Sequence, residues 1–173
     1  MAGLHSREPV EASTALFYML FAQQHRGQEA CGIAWVDNGA MQADRRLGMV
    51  AKAADDWLQP GRPSNCAIGH VRYATQGGGG MANAQPIVVS CNKGSIALAH
   101  NGNLSNGARL RDQLSAGGSI FQTTSDSELI LHRMSRSVAT GMEAVIRDAL
   151  DGVEGAYSLC LAWNGVLVAL RDP

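Results

Sequence analysis

The sequence predicts an α+β fold in which antiparallel strands pack against separate helices. Three strand-like segments are interrupted by the turn sequences Asp37-Asn-Gly, Asn92-Lys-Gly and Asn164-Gly165, and each interruption predicts a β-hairpin. Other segments carry apolar residues at helical spacing. No Gly-x-Gly-x-x-Gly sequence enters a helix, so the sequence does not indicate a βαβ nucleotide-binding fold.

The elements follow one another along 173 residues, a length that predicts a single domain over residues 1–173. The predicted strands lie within residues 32–44, 66–73, 87–100 and 156–170. The predicted helices cover residues 13–24, about 106–114, a segment after the capping box 125–128, and 141–150. Ser13 is the candidate N-cap of the first helix, and Ser105 or Asn106 that of the second.

Composition excludes several classes of protein. The net charge is −1 and no basic block occurs, so neither nucleic acid nor an anionic membrane is an expected partner. The start of the chain lacks the apolar segment of a signal peptide, and residues 156–170 are too short to span a bilayer, so we expect a cytoplasmic protein. The four cysteines form no Cys-x-x-Cys pair, and no His-Glu-x-x-His occurs, so no metal or other cofactor is expected.

The sequence Ala99-His-Asn-Gly-Asn-Leu104 admits two interpretations. Asn-Gly is a strong hairpin signal, so Asn101 and Gly102 can form a turn. Alternatively, the side-chain amide of Asn101 and the backbone N–H of Gly102 are two neighbouring donors, as an oxyanion hole requires.

Two further segments combine polar side chains with glycine. Gln24-His-Arg-Gly-Gln-Glu29 can end the first helix, with Gly27 as a left-handed cap, although this leaves the glutamines and the glutamate unexplained. Gly69-His-Val-Arg-Tyr-Ala-Thr75 places Arg72 on a strand, on the same side as His70. Arg72 forms either a salt bridge at a sheet edge or a bidentate clamp for a substrate carboxylate.

A third segment, Thr123-Thr-Ser-Asp-Ser-Glu128, predicts a helix capping box. A carboxylate at such a helix start can also accept a substrate ammonium. A carboxylate clamp, an ammonium acceptor and an oxyanion hole together describe a site for an α-amino acid whose side-chain carbonyl is attacked.

Together these motifs, with Glu154-Gly-Ala-Tyr-Ser158 and the final Arg-Asp-Pro, resemble the glutaminase domain of the amidophosphoribosyltransferases. Members of that family are class II glutamine amidotransferases that open purine synthesis. The resemblance runs from about residue 2 to the end of the sequence. It implies an N-terminal nucleophile fold, a four-layer αββα sandwich with antiparallel sheets.

The resemblance also implies residue roles. Asn101 and Gly102 would form the oxyanion hole, Arg72 would bind the α-carboxylate of glutamine, and Asp126 would accept its α-ammonium. Three more residues are implied to line the pocket or to position the nucleophile: Thr75, Arg26 and Gly27.

The nucleophile of that family is missing. Family members begin with a cysteine whose thiolate attacks the glutamine amide while its own α-amine acts as the base. The matching segment here is Ala2-Gly3-Leu4, and Cys31, the first cysteine, reads as a core residue. We therefore expect the chain as written not to hydrolyse glutamine.

Three explanations stay open at this point. Ala2 can be a deliberate replacement of the cysteine, or the chain can be a natural pseudo-glutaminase that serves as a glutamine-binding regulatory or interaction module. A stable domain that has lost its pocket is the third.

The expected partners are L-glutamine and a phosphoribosyltransferase domain, which would lie outside these residues or on a partner chain. A homo-oligomer is also compatible with the resemblance. The glycine-rich loop of residues 76–80 is expected to be a mobile element of the site.

Overall fold

The computed structural model describes residues 1–73 and 80–172, which form two four-stranded antiparallel sheets flanked by five α-helices. The strands are β1 (Ala2–Glu11), β2 (Ala30–Asp37), β3 (Ala40–Leu47), β4 (Pro63–Arg72), β5 (Ile87–Cys91), β6 (Gly94–Leu104), β7 (Gly155–Trp163) and β8 (Val166–Arg171). The helices are α1 (Ala12–Ala22), α2 (Ala54–Trp57), α3 (Gly107–Ala116), α4 (Asp126–Arg136) and α5 (Met142–Leu150). Short 3₁₀ turns occur at Gln24–Arg26, Val50–Ala53 and Met81–Asn83.

The predicted four-layer αββα sandwich is confirmed. The first sheet has the strand order β1-β4-β2-β3, and the second has the order β5-β6-β7-β8. One buried cluster joins α1 and α2 to the first sheet, and another joins α3, α4 and α5 to the second. A third cluster lies between the sheets, so each pair of adjacent layers shares its own apolar core.

The interface between the two sheets consists mostly of small side chains. Its buried members are Ala34, Cys66, Ile68, Ala97, Ala99, Cys160 and Ala162. Side chains alternate across a strand, so in β6 Ala97 and Ala99 face the other sheet whereas Ile96 and Leu98 pack towards the helices. By the same alternation His70 and Arg72 share one face of β4, as the sequence predicts, and this is the face whose Cys66 and Ile68 lie between the sheets.

The three predicted hairpins are confirmed. Asn38 and Gly39 join β2 to β3, and Asn164 and Gly165 join β7 to β8, each with two positive φ angles. This is the type I′ geometry that Asn-Gly favours, because its twist matches that of the strands.

Several local predictions are wrong. Helix α1 begins at Ala12 with Glu11 at the N-cap, and Ser13 is buried with no hydrogen-bond partner for its hydroxyl among the described residues. Asn106 occupies the N-cap position of α3, but its side chain bonds to Gly152 O and Glu154 N instead of capping the helix. Strand β1 lies in a segment for which the sequence predicts neither a strand nor a helix.

In the described part of the chain, no helix is long and apolar enough to cross a membrane.

Candidate active site

A cavity of about 300 Å³ lies at the end of the sandwich where β4 and β6 finish. Five of the residues that the sequence assigns to the site line it: Arg26, Arg72, Asn101, Gly102 and Asp126. A larger cavity of about 580 Å³, between β5 and α4, contains none of them. The smaller cavity therefore brings together groups of both charge signs, which suits a small zwitterion.

Arg72 is the last residue of β4 and is buried. Its strand lies between β1 and β2, but the pairing with β1 ends at Gly69, so at Arg72 only β2 is paired, through Ala30. Its Nη1 donates to Glu29 Oε2 at 2.8 Å, and both side chains are largely shielded from water. The sequence left a salt bridge and a substrate clamp as alternatives for Arg72, and the structure places a salt bridge on a residue that also lines the cavity.

The segment Gln24–Glu29 is shaped around the end of β4. Gly27 has an extended backbone with φ 177°, so the prediction of a left-handed helix cap is wrong. A Cβ on Gly27 would lie 2.4 Å from the carbonyl carbon of Arg72, and this close approach is what requires glycine. Gln24 braces the segment, since its Nε2 donates to Gly27 O and its Oε1 accepts from Val50 N.

Asn101 and Gly102 belong to β6 and do not form a turn. They pair with Ser158 and Tyr157 of β7, so the hairpin interpretation of this Asn-Gly sequence is wrong. Both residues are exposed at the cavity, and Gly102 has φ +149°. A side chain at Gly102 would meet the backbone of β7, because a Cβ would lie 2.1 Å from Ala156 O.

Asp126 is the first residue of α4, where the helix dipole favours a carboxylate. Its Oδ2 accepts a 3.0 Å hydrogen bond from the backbone N–H of Leu104, which ties the helix to the end of β6. Gly107 at the start of α3 makes room for it, because a Cβ there would lie 2.8 Å from Asp126 Oδ1.

The predicted capping box is confirmed in part. Ser125 Oγ accepts from Ser127 N, as an N-cap should. The carboxylate of Glu128 does not return to Ser125 but accepts from the backbone N–H groups of Gln122 and Thr123, each at 2.8 Å. This fixes the loop that leads into Asp126.

Two buried histidines at the cavity were not selected as site residues. His70 Nδ1 and His100 Nε2 have no hydrogen-bond partner among the described residues. Burial lowers the pKa of His70 from 6.5 to about 3, and the Met1 α-amine adds to the lowering. Burial also lowers the pKa of His100, so both imidazoles are neutral near pH 7. His70 lies in the segment 69–75 and His100 in the segment 99–104, but the sequence of neither segment distinguishes a site histidine from a core histidine.

Ala2 lies beside the cavity but does not line it. It begins β1 and pairs with Gly69, the residue before His70. The Met1 α-amine donates to Gln23 Oε1 at 3.3 Å, and burial, assisted by the charge of Arg26, lowers its pKa. The α-amine of Met1 is therefore more easily deprotonated than an amine in water.

No thiol in the described structure lines the cavity. Burial raises the pKa of Cys31 and of Cys160 to about 11, and neither residue lines the cavity. Cys31 is buried in the core around α1, as the sequence predicts. Thr75 and residues 76–79 lie outside the described residues, and within the described ones no group of acidic, histidine or cysteine side chains could hold a metal ion.

Comparison with known proteins identifies the family. Residues 70–173 match the family model described as "Glutamine amidotransferase domain", which is more than half of the chain. Amidophosphoribosyltransferase 3, chloroplastic, of Arabidopsis thaliana is 39% identical over 173 residues, which cover 100% of this chain and 32% of that protein. The amidophosphoribosyltransferase of Bacillus subtilis is 40% identical over 164 residues, covering 94% and 34%.

A solved structure gives the same result in three dimensions. The glutamine phosphoribosylpyrophosphate amidotransferase of B. subtilis, in complex with ADP and GMP, superposes with a TM-score of 0.86 at 37% identity, covering 99% of this chain and 36% of that one. This chain thus spans about a third of the length of these relatives. It belongs to the glutamine amidotransferase domain family, in the form found in amidophosphoribosyltransferases.

Proposed function

We propose that this chain is the glutamine-binding part of an amidophosphoribosyltransferase, which in its active form releases ammonia from glutamine for phosphoribosylamine synthesis in the purine pathway. The observation that carries the proposal is the cavity that joins Arg72, Asp126, Asn101 and Gly102. The kinship with amidophosphoribosyltransferases supports the assignment of the substrate.

The proposed binding mode follows from the charges around the cavity. Arg72 receives the α-carboxylate of L-glutamine, and Asp126 accepts the α-ammonium. The side-chain carbonyl of the substrate then points towards the amide of Asn101 and the backbone N–H of Gly102. These two donors stabilise the negative charge that develops on that oxygen when the carbonyl carbon is attacked.

In the active form, a cysteine at position 2 supplies the attacking atom. Its thiolate adds to the side-chain carbonyl carbon, ammonia leaves with a proton from the α-amine, and water then hydrolyses the thioester to glutamate. The α-amine of that cysteine, free once Met1 has been removed, is the proposed base. The methyl group of Ala2 cannot form the thioester, so the chain as it stands binds glutamine without turning it over.

The ammonia acceptor in this proposal is a phosphoribosyltransferase domain, in the same polypeptide or on a partner chain. A cytoplasmic location, expected from the sequence, belongs to the same proposal, and a homo-oligomer is compatible with it. Ala2 keeps a second candidate function open, that of a pseudo-glutaminase that binds glutamine as a regulatory signal.

The test is glutamate release from L-glutamine by the unaltered chain and by its Ala2→Cys variant, each after confirmed removal of Met1. Activity only in the variant supports a glutaminase that lacks just its nucleophile. Adding Arg72→Ala to the variant should then raise KM sharply. Turnover by the unaltered chain would contradict the proposal, and glutamine binding without turnover in either chain would favour the pseudo-glutaminase.

A further inference from the structure

We infer that Glu29 is a positioning residue that holds the guanidinium of Arg72 in place for the α-carboxylate of the substrate. The inference rests on the proposed function. Its starting point is the buried ion pair between Arg72 Nη1 and Glu29 Oε2 at 2.8 Å, which joins residues 43 positions apart in the chain.

Glu29 reaches Arg72 from outside the cavity. Arg72 lines the cavity, whereas Glu29 does not. A carboxylate that competed with the substrate would have to occupy the cavity itself, and Glu29 is not among the residues that line it. The ion pair can therefore persist when the substrate carboxylate binds from the cavity side.

The backbone of Glu29 is fixed independently of its side chain. Its N–H donates to Arg72 O at 3.0 Å, and its carbonyl accepts from Gly48 N at 2.7 Å. The contact of Gly27 with the Arg72 backbone and the two hydrogen bonds of Gln24 hold the rest of the segment. Replacing only the carboxylate of Glu29 should consequently leave the segment in position and remove only this contact with the guanidinium.

The Arg72–Glu29 ion pair is shielded from water, so its attraction can influence the orientation of the guanidinium. The side chains of Arg72 and Glu29 are 9% and 18% exposed, so water screens their attraction far less than it screens a surface pair. A guanidinium binds a carboxylate best in one planar orientation, and a buried charged partner outside the cavity helps to hold it in that orientation. Losing a hydrogen bond between charged groups should weaken glutamine binding about tenfold.

The experiment compares the unaltered chain with Glu29→Gln, which keeps the shape and removes the charge. Calorimetric titration should show a Kd for L-glutamine about tenfold higher in the variant, with little change for L-glutamine α-amide, which lacks the α-carboxylate. In the Ala2→Cys background, Glu29→Gln should raise KM while kcat changes less than about twofold, and Glu29→Asp should recover part of the loss. Glu143→Gln is the matched control, because it removes the same charge from a 2.8 Å ion pair with Arg147 that is exposed on α5.

The outcomes separate this inference from the proposed function. If the unaltered chain binds glutamine and Glu29→Gln binds it equally well, the positioning role is wrong and the proposed function stands. Equal weakening for L-glutamine and its α-amide would also overturn the inference, because it would indicate a merely structural loss. If the unaltered chain binds no glutamine, the proposed function fails and this inference fails with it.

Discussion

Replacing Gly102 by alanine should strongly destabilise the fold, because two independent costs coincide at this position. Its φ of +149° is a conformation that side-chain-bearing residues rarely adopt, at a cost of about 1–3 kcal/mol. The new Cβ would also lie 2.1 Å from Ala156 O and 2.7 Å from Tyr157 Cα, which are backbone atoms of the paired strand β7. Forcing the two strands apart adds about 1–3 kcal/mol, so we expect a total loss of about 2–6 kcal/mol.

The assay is urea unfolding of the Gly102→Ala chain, with Gly39→Ala as the matched control. Gly39 has φ +81° but no atom within 4 Å of its would-be Cβ, so only the conformational cost of about 1 kcal/mol applies there. With a slope of about 2 kcal/mol per molar urea, Gly102→Ala should lower the midpoint by about 1–3 M and Gly39→Ala by about 0.5 M. Equal midpoints for the two variants would refute the reasoning about the close approach of β6 and β7.

Two further predictions concern buried titratable groups. His70 has a folded pKa of about 3, so between pH 6.5 and 3 the unfolded chain binds a proton that the folded chain does not. Its contribution to stability is present above pH 6.5 and is lost as the pH falls, by about 2 kcal/mol from pH 6.5 to pH 5. The difference in unfolding free energy between these two pH values should shrink by that amount in His70→Gln, and an unchanged difference would count against a neutral buried imidazole. Among the four thiols, partly exposed Cys91 should react first with a disulfide reagent in the native chain, because Cys31, Cys66 and Cys160 are buried with raised pKa values. Mass spectrometry of the labelled peptides would identify the thiol, and early labelling of Cys160 would be contradictory.

The sequence predicts the elements whose signals are local. Asn38-Gly39 and Asn164-Gly165 determine their hairpins through backbone conformations that few other residues adopt. Strand β1 is not predicted because half of its residues are polar or charged and it includes Pro9, and its pairing with β4 is what makes it a strand. An edge strand tolerates such a composition, since one side of its backbone has no partner strand.

The sequence predicts much of the candidate site but not the contacts that hold it. Arg72, Asp126 and the Asn101-Gly102 pair are identifiable as residue types in motifs, and the structure brings them to one cavity. The ion pair of Glu29 with Arg72 joins residues far apart in sequence, so no local pattern reports it. The Asn101-Gly102 sequence favours a turn, but in the structure both residues pair with β7 and remain in a strand. A turn prediction from this sequence alone is therefore wrong.

The central claim is that the cavity at the ends of β4 and β6 binds L-glutamine through the guanidinium of Arg72. The most direct measurement is a calorimetric titration of L-glutamine into the unaltered chain and into Arg72→Ala, with cooperative unfolding of both confirmed first. We expect the unaltered chain to bind one glutamine saturably and the Arg72→Ala chain not to bind it. Glutamine binding that is unaffected by Arg72→Ala, or no binding by the unaltered chain, would contradict the central claim.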